Sequence, residues 1–176
     1  MTFNYETRIP RERIAILIGT RGSVKRNIQE ALSITLHVNS KEGDVTLEGE
    51  DSLDLFIGQT IVNAIGRGFN PEVALKLLGQ ENHFETINIE DYSGSSKEKL
   101  IRIRSRAIGT EGKARKTIEE LTGTHTVIYG KTISIIGTYE NVALARRAFE
   151  SLLSGSRHST IYTWLEKQRK KLRMKL

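Results

Sequence analysis

An internal repeat constrains this chain more than any other feature. When the sequence is slid against itself by 90 positions, Ile18-Gly19-Thr20-Arg21-Gly22 falls over Ile108-Gly109-Thr110-Glu111-Gly112. Lys25-Arg26 falls over Arg115-Lys116, Ile28 over Ile118 and Glu30 over Glu120. After a two-residue contraction, Val45-Thr46-Leu47-Glu48-Gly49 matches Ile133-Ser134-Ile135-Ile136-Gly137. Two copies are too few for a solenoid, which buries its core only by stacking about three repeats or more. A chain of 176 residues then holds a tandem pair of compact domains.

Both copies read as the same series of elements. In the first, Phe3, Tyr5, Thr7 and Ile9 alternate with polar residues up to Pro10, which predicts a strand. Ile14, Leu17 and Ile18 follow at helical spacing until Gly19, and a second helix starts at Gly22-Ser23, with Ser23 as its N-cap, and runs through Leu32. Ile34, Leu36 and Val38 then alternate, as do Val45 and Leu47 beyond the Lys-Glu-Gly-Asp turn, giving a hairpin. A helix from about Asp51 to Ile65 closes the unit. The second copy has Ile87 and Ile89 in its first strand, and Thr126 and Ile128 pairing with Ile133 and Ile135 across Tyr-Gly-Lys. Its closing helix runs from Asn141 to Leu153. Leu100 to Arg106 alternates with period two like a strand, but register with the first copy and a Leu100/Ile103/Ala107 stripe predict a helix. Between the copies, Asn70-Pro71-Glu72 opens a short helix to Leu78 that joins the domains closely.

Composition narrows the function classes. No window approaches 18 apolar residues, and charges crowd the first 30 positions, so neither a membrane span nor a secretory signal is expected. The absence of cysteine removes disulfides, thiolate metal sites and cysteine nucleophiles. The net charge of +6 is unevenly placed. Residues 1–84 hold 9 Lys/Arg and 11 Asp/Glu; residues 85–176 hold 18 and 10. The run from Glu166 to Leu176 alone has six Lys/Arg against one acid. Such a surface draws polyanions, nucleic acid foremost. A stripe of Ile161, Trp164, Leu165, Gln168 and Leu172 turns one side of that tail helix inward.

The chemistry sits in the two Gly-x-x-Gly loops. Glycine admits backbone angles closed to other residues and lets a sugar-phosphate chain approach without meeting a Cβ. The helix after the loop presents free N–H groups and the positive end of its dipole to an anion. Arg21, Lys25 and Arg26 reinforce the first loop, and Lys113, Arg115 and Lys116 the second.

These features resemble tandem KH domains of the eukaryotic type, whose Gly-x-x-Gly loop clamps about four nucleotides of a single strand. The pair is similar to the two-KH ribosome-assembly family that includes the KRR proteins and the partner of Nob. Three segments carry the likeness: Arg67 to Leu75; Ser105-Arg106-Ala107-Ile108-Gly109 leading into Gly112-Lys113; and Leu153 to His158 followed by Tyr162, Leu165-Glu166 and the basic run. The compact length is similar to that of an archaeal member. The resemblance implies an α+β protein with two type I KH domains, each a three-stranded antiparallel sheet packed against three helices, plus a C-terminal helix. The expected divisions are a first domain over 1–66, a linker over 67–84, a second domain over 85–155 and a basic helix over 156–176. It further implies a cytoplasmic, monomeric RNA-binding factor of small-subunit biogenesis, without cofactor. Its partners would be the 3′-end region of small-subunit rRNA, a Nob-type endonuclease and the translation initiation factor 2 alpha subunit.

The RNA-contacting residues expected from this are Gly109, Thr110, Glu111, Gly112, Lys113, Arg115, Lys116 and Arg106 in the second copy. Those in the first are Gly19, Thr20, Arg21, Gly22, Lys25 and Arg26. The family uses its second domain for RNA and its first for protein docking, yet here the first loop is intact and basic while Glu111 places an acid in the second. Loop chemistry favours the first copy and domain charge the second; the second is expected to be the main site. Other readings stay open: an accessory of RNA decay, or a protein-docking scaffold.

No catalytic or metal site is expected. Gly130-Lys131-Thr132 ends like a phosphate-binding motif but lies in a hairpin turn. His37, His83, His125 and His158 lack metal spacing. His158 would either touch a phosphate or cap the final helix. Glu119-Glu120 is a solvated helix face, and Gly66-x-Gly68 lacks a third glycine. With aromatics at 6%, affinity would come from phosphate neutralisation and backbone clamping rather than ring stacking.

Overall fold

The expected alternation and helical stripes recur in two copies in a computed structural model, which describes all residues 1–176. The chain divides into Met1–Gln80 and Glu81–Leu176. The first unit runs β1 (Phe3–Arg8), α1 (Arg11–Ile18), α2 (Ser23–Leu32), β2 (Thr35–Asn39), β3 (Asp44–Gly49), α3 (Ser52–Gly66) and α4 (Pro71–Ala74), ending in a 3-10 turn over Leu75–Leu78. The second runs β4 (Asn82–Asn88), α5 (Glu90–Ser93), α6 (Lys97–Ile108), α7 (Lys113–Thr122), β5 (His125–Tyr129), β6 (Thr132–Thr138), α8 (Tyr139–Leu153) and α9 (His158–Met174). No helix is long and apolar enough to cross a membrane.

Each unit has an antiparallel three-stranded sheet, ordered β1-β3-β2 in the first and β4-β6-β5 in the second. Register follows side-chain chemistry. In the first unit Tyr5, Leu47 and Leu36 align on one face, while Glu6, Thr46 and His37 align on the other. The apolar row packs under the helices and the polar row stays accessible, as expected of a sheet covered on one side. In the second unit the expected hairpin forms, with Thr126 opposite Ile135 and Ile128 opposite Ile133. Ile87, Ile103, Ile118, Ile133 and Phe149 meet in its core.

The ambiguous stretch is helical. In α6 Ile103 and Ala107 are buried and Leu100 packs partly against the core, whereas Ile101 is 65% exposed. A strand would have placed Ile101 and Ile103 on the same face; 3.6-residue periodicity separates them. Two local expectations change. Ile89 lies just past β4, although it remains buried, and donates its N–H to Lys131 O at 2.8 Å. Ser23 does not cap α2 but is its first residue, the cap position being Gly22 at φ +74°.

An arginine clamp fastens the first helix of each unit to the end of its last sheet-packed helix. Arg13 on α1 donates from Nε to Ile65 O at 2.8 Å and from Nη2 to Phe69 O at 2.9 Å. Arg106 on α6 donates from its two terminal nitrogens to Leu152 O and Ser156 O. Carbonyls at a helix C-terminus lack intrahelical partners and carry the negative end of the dipole, so a guanidinium fork suits them. Arg106 is therefore occupied inside the fold, contrary to its expected place among the RNA contacts. His158 likewise neither caps α9 nor stands free: its Nε2 lies 2.8 Å from Arg106 O.

The tail helix α9 buries Ile161 and Leu165, with Trp164, Gln168 and Leu172 half-buried beside them. Arg147 of α8 sits 4.8 Å from the centre of the Trp164 ring. Arg106→Met, which keeps the aliphatic stem but leaves the α8 carbonyls unpaired, is expected to lower stability by about 3 kcal/mol in urea unfolding.

Candidate nucleic-acid interface

The two Gly-x-x-Gly turns have nearly the same backbone. Gly19 and Gly109 lie at φ/ψ of 75/176° and 77/171°. Arg21 and Glu111 are left-handed at 54/30° and 55/27°, and Gly22 and Gly112 follow at 74/17° and 75/15°. The first middle position is threonine in both loops, and the change from Arg21 to Glu111 at the second leaves the loop shape unchanged.

The two glycines of each loop do different work. A Cβ on Gly109 would stand 2.6 Å from Ala114 N and 2.8 Å from its Cβ; one on Gly19 would stand 2.5 Å from Val24 Cγ2 and 2.8 Å from its N. The first glycine lets the loop close against the following helix. A Cβ on Gly112 would meet nothing nearer than Lys116 Cε at 3.8 Å, and one on Gly22 nothing nearer than Arg26 Nη2 at 3.8 Å. The second glycine faces open space where a ligand can lie. No side chain caps α2 or α7, unlike α3, capped by Asp51, and α6, capped by Ser96. The first N–H of each post-loop helix, at Ser23 and Lys113, donates back to Thr20 O and Thr110 O, and no side chain caps the N–H groups that follow; the positive end of the helix dipole there suits an anion.

The expected basic residues divide by role. Arg26 donates to Arg21 O at 2.7 Å and Lys116 lies 3.5 Å from Glu111 O, so both brace their loops while staying exposed. Arg115 is 2.8 Å from Glu119 and reaches Thr126 O at 3.3 Å, which spends its charge inside the fold. Arg21, Lys25 and Lys113 make no ion pair. Glu111 is exposed, at the outer turn of the loop. Close to the loop, the first unit therefore offers three cations and no acid, while the second offsets its cations with Glu111 and Glu119.

Opposite α7 lies β5, an edge strand. The Thr126 N–H donates to Glu119 Oε1 at 2.7 Å and its carbonyl accepts from Arg115, so both groups point away from β6. Alternation along an antiparallel ladder turns the N–H and C=O of Ile128 the same way, and no side chain meets them. In the first unit Gln29 Oε1 accepts from Leu36 N at 2.8 Å, repeating the arrangement without the carboxylate.

The sequence reading missed one face of α6. Lys97, Ile101, Arg104 and Ile108 recur at helical spacing and lead straight to Gly109. Arg104 donates to Gly130 O at 2.9 Å, tying this face to the β5–β6 turn. At its far end lies an open cleft of about 660 Å³ that includes Lys97, Leu100, Ile101 and Lys131. Counting back from Gly109 in helical steps would have found these residues; the strand-like alternation of Leu100 to Arg106 concealed them.

A family model for the second KH domain of PNO1, described as a eukaryotic type KH-domain (KH-domain type I), matches residues 83–170. A KH domain-containing protein of Methanocaldococcus jannaschii is 44% identical over 170 residues, covering 94% of this chain and 74% of that protein. The chain belongs to the PNO1/Dim2 family of KH-domain pre-rRNA-processing proteins. The RNA-binding protein pno1 of Drosophila melanogaster is 34% identical over 77% of this chain, which spans 58% of that longer relative. Among solved structures, a chain of the a/eIF2alpha–aDim2p–rRNA complex from Pyrococcus horikoshii aligns with a TM-score of 0.89 and 37% identity, over 97% of this chain and 96% of that one. Dim2p from the same organism aligns at 0.86 with 37% identity, over 94% and 99%.

Gly109→Ala is expected to cost the second unit several kcal/mol, because its Cβ must displace the backbone of α7. Gly112→Ala meets open space and should cost about 1 kcal/mol, the strain of a left-handed alanine. Thermal unfolding of the two variants separates these outcomes.

Proposed function

We propose that the protein is an RNA-binding factor of small-ribosomal-subunit biogenesis that holds the 3′-end region of small-subunit rRNA, or its precursor, as a single strand. The observation that carries this is the Gly109–Gly112 turn, with its open second glycine and uncapped helix start, in the domain matched by the PNO1 model. The phosphate chain lies over Gly112 and the positive end of the α7 dipole, with Thr110, Lys113 and Lys116 beside it. The bases reach across toward the outward N–H and C=O of Ile128, along the face of Ile101, Arg104 and Ile108. The protein works by binding and offers the strand no nucleophile or general base.

In this reading the domain over 85–155 is the main RNA holder, with the tail over 156–176 beside it and the linker over 67–84 before it. The domain over 1–66 adds a second contact through Gly19, Thr20, Arg21, Gly22, Lys25 and Arg26. The stronger local charge of the first loop supports that contribution; the broader basic field of the second unit supports its lead. The Pyrococcus complex contains rRNA and a/eIF2alpha, and we carry both over as partners. We further infer, from the resemblance, a Nob-type endonuclease as a partner and the cytoplasm as the place of action.

Gly112→Asp puts an acid where the phosphate lies, at a position with room for it. Fluorescence titration against rRNA 3′-end oligonucleotides should show a loss of about 30-fold, roughly 2 kcal/mol, with a smaller loss for Gly22→Asp. Equal losses, or none, would remove the second loop as the main site.

A further inference from the structure

Five cations of α9, at Lys167, Arg169, Lys170, Lys171 and Arg173, and Lys175 at its C-cap are all exposed, and none forms an ion pair. Lys167 and Lys171, Arg169 and Arg173, and Lys171 and Lys175 are like charges four residues apart, which weaken a helix left to itself. The apolar stripe of Ile161, Leu165 and Leu172 holds the helix in place despite that repulsion. A fixed array of unneutralised cations on a rigid support is complementary to a polyanion.

Its position ties the array to the loop. The His158 ring at the start of α9 contacts Arg106 O, three residues before Gly109. One turn on, Tyr162 lies beside Thr117 of α7, whose hydroxyl donates to Lys113 O at 2.7 Å. Burial raises the Tyr162 phenol above its ordinary value. The helix thus begins beside the Gly-x-x-Gly turn and leads away along α7. Arg169 and Arg173 share the Tyr162 flank, at spacings of seven and eleven residues. At 1.5 Å per residue, Arg169 lies about 16 Å and Lys175 about 25 Å beyond His158. A four-nucleotide clamp does not extend that far.

We propose that α9 is a second phosphate-contact surface, which takes the RNA backbone running beyond the nucleotides held at the Gly109–Gly112 turn. This deepens the RNA-binding reading above and rests on it. The tail supplies affinity without sequence preference, and the groove supplies register.

The test compares the full-length wild type with an Arg169→Gln, Lys171→Gln, Arg173→Gln variant. Glutamine keeps helix propensity, and circular dichroism checks that the fold is intact. Fluorescence anisotropy is read with labelled rRNA 3′-end oligonucleotides of about 6 and about 16 nucleotides over a range of salt. For the longer RNA the variant should bind about tenfold more weakly, with a log–log salt slope smaller by about 2, as expected for three lost phosphate contacts. Its affinity for the shorter RNA should not change. Unchanged binding of the longer RNA overturns the proposal and leaves the surface to an acidic protein. Equal losses for both lengths also overturn it, since they mean a general field effect. A wild type that binds neither RNA removes the RNA reading itself, and the tail proposal with it.

Discussion

The close approach of Gly109 to Ala114, and of Gly19 to Val24, is the constraint on which the rest depends. Without a side chain at that point the two helices join through a single tight turn. That turn ends in a left-handed glycine rather than a capping serine or aspartate. The following helix therefore begins without a side-chain cap, its first N–H turned back to the loop threonine, beside a glycine with open space above it. A fold requirement at one glycine creates a binding opportunity at the next, only three residues away.

The same helix pair must also be held at a fixed angle to its sheet, and both units use an arginine for this. Arg13 and Arg106 do not occupy equivalent positions in the repeat, yet each ends on the carbonyls that close the last sheet-packed helix. The requirement belongs to the helix terminus, whose unsatisfied acceptors can be met from either position on the first helix. On the far side of α7, Glu119 and Arg115 satisfy one residue of the β5 edge and leave the next outward residue open. Polar side chains near the groove thus serve mainly to position backbone, and backbone groups are what the groove offers.

Electrostatics works on two scales here. Around the first loop the charge is all positive, while around the second Glu111 and Glu119 offset their neighbours. The excess of the second unit lies instead on α6 and on α9. Attraction over distance and contact at the clamp are therefore supplied by different residues, which explains why a count of charges by domain and a reading of the loops favour opposite copies.

The duplication, the order of elements in each copy, the hairpins and the paired loops are all legible in the sequence. All of these rest on local periodicity, on glycine's special backbone angles or on direct similarity between the copies. It also carried the stripe that seats α9. The tertiary structure decided which basic residues are free. Arg106, Arg115 and Lys113 look alike in the sequence, but the first lies against the end of α8 and the second against Glu119 and Thr126, leaving only Lys113 unpaired. The helix over Leu100 to Arg106 is expected from the register of the repeat; what the tertiary structure added is that Arg104 ties its outer face to the β5–β6 turn. A charge becomes a contact or a clamp according to which carbonyls and carboxylates the fold brings within hydrogen-bond reach: Glu119 and the Thr126 carbonyl for Arg115, and for Arg106 the carbonyls of Leu152 and Ser156, some 50 positions away.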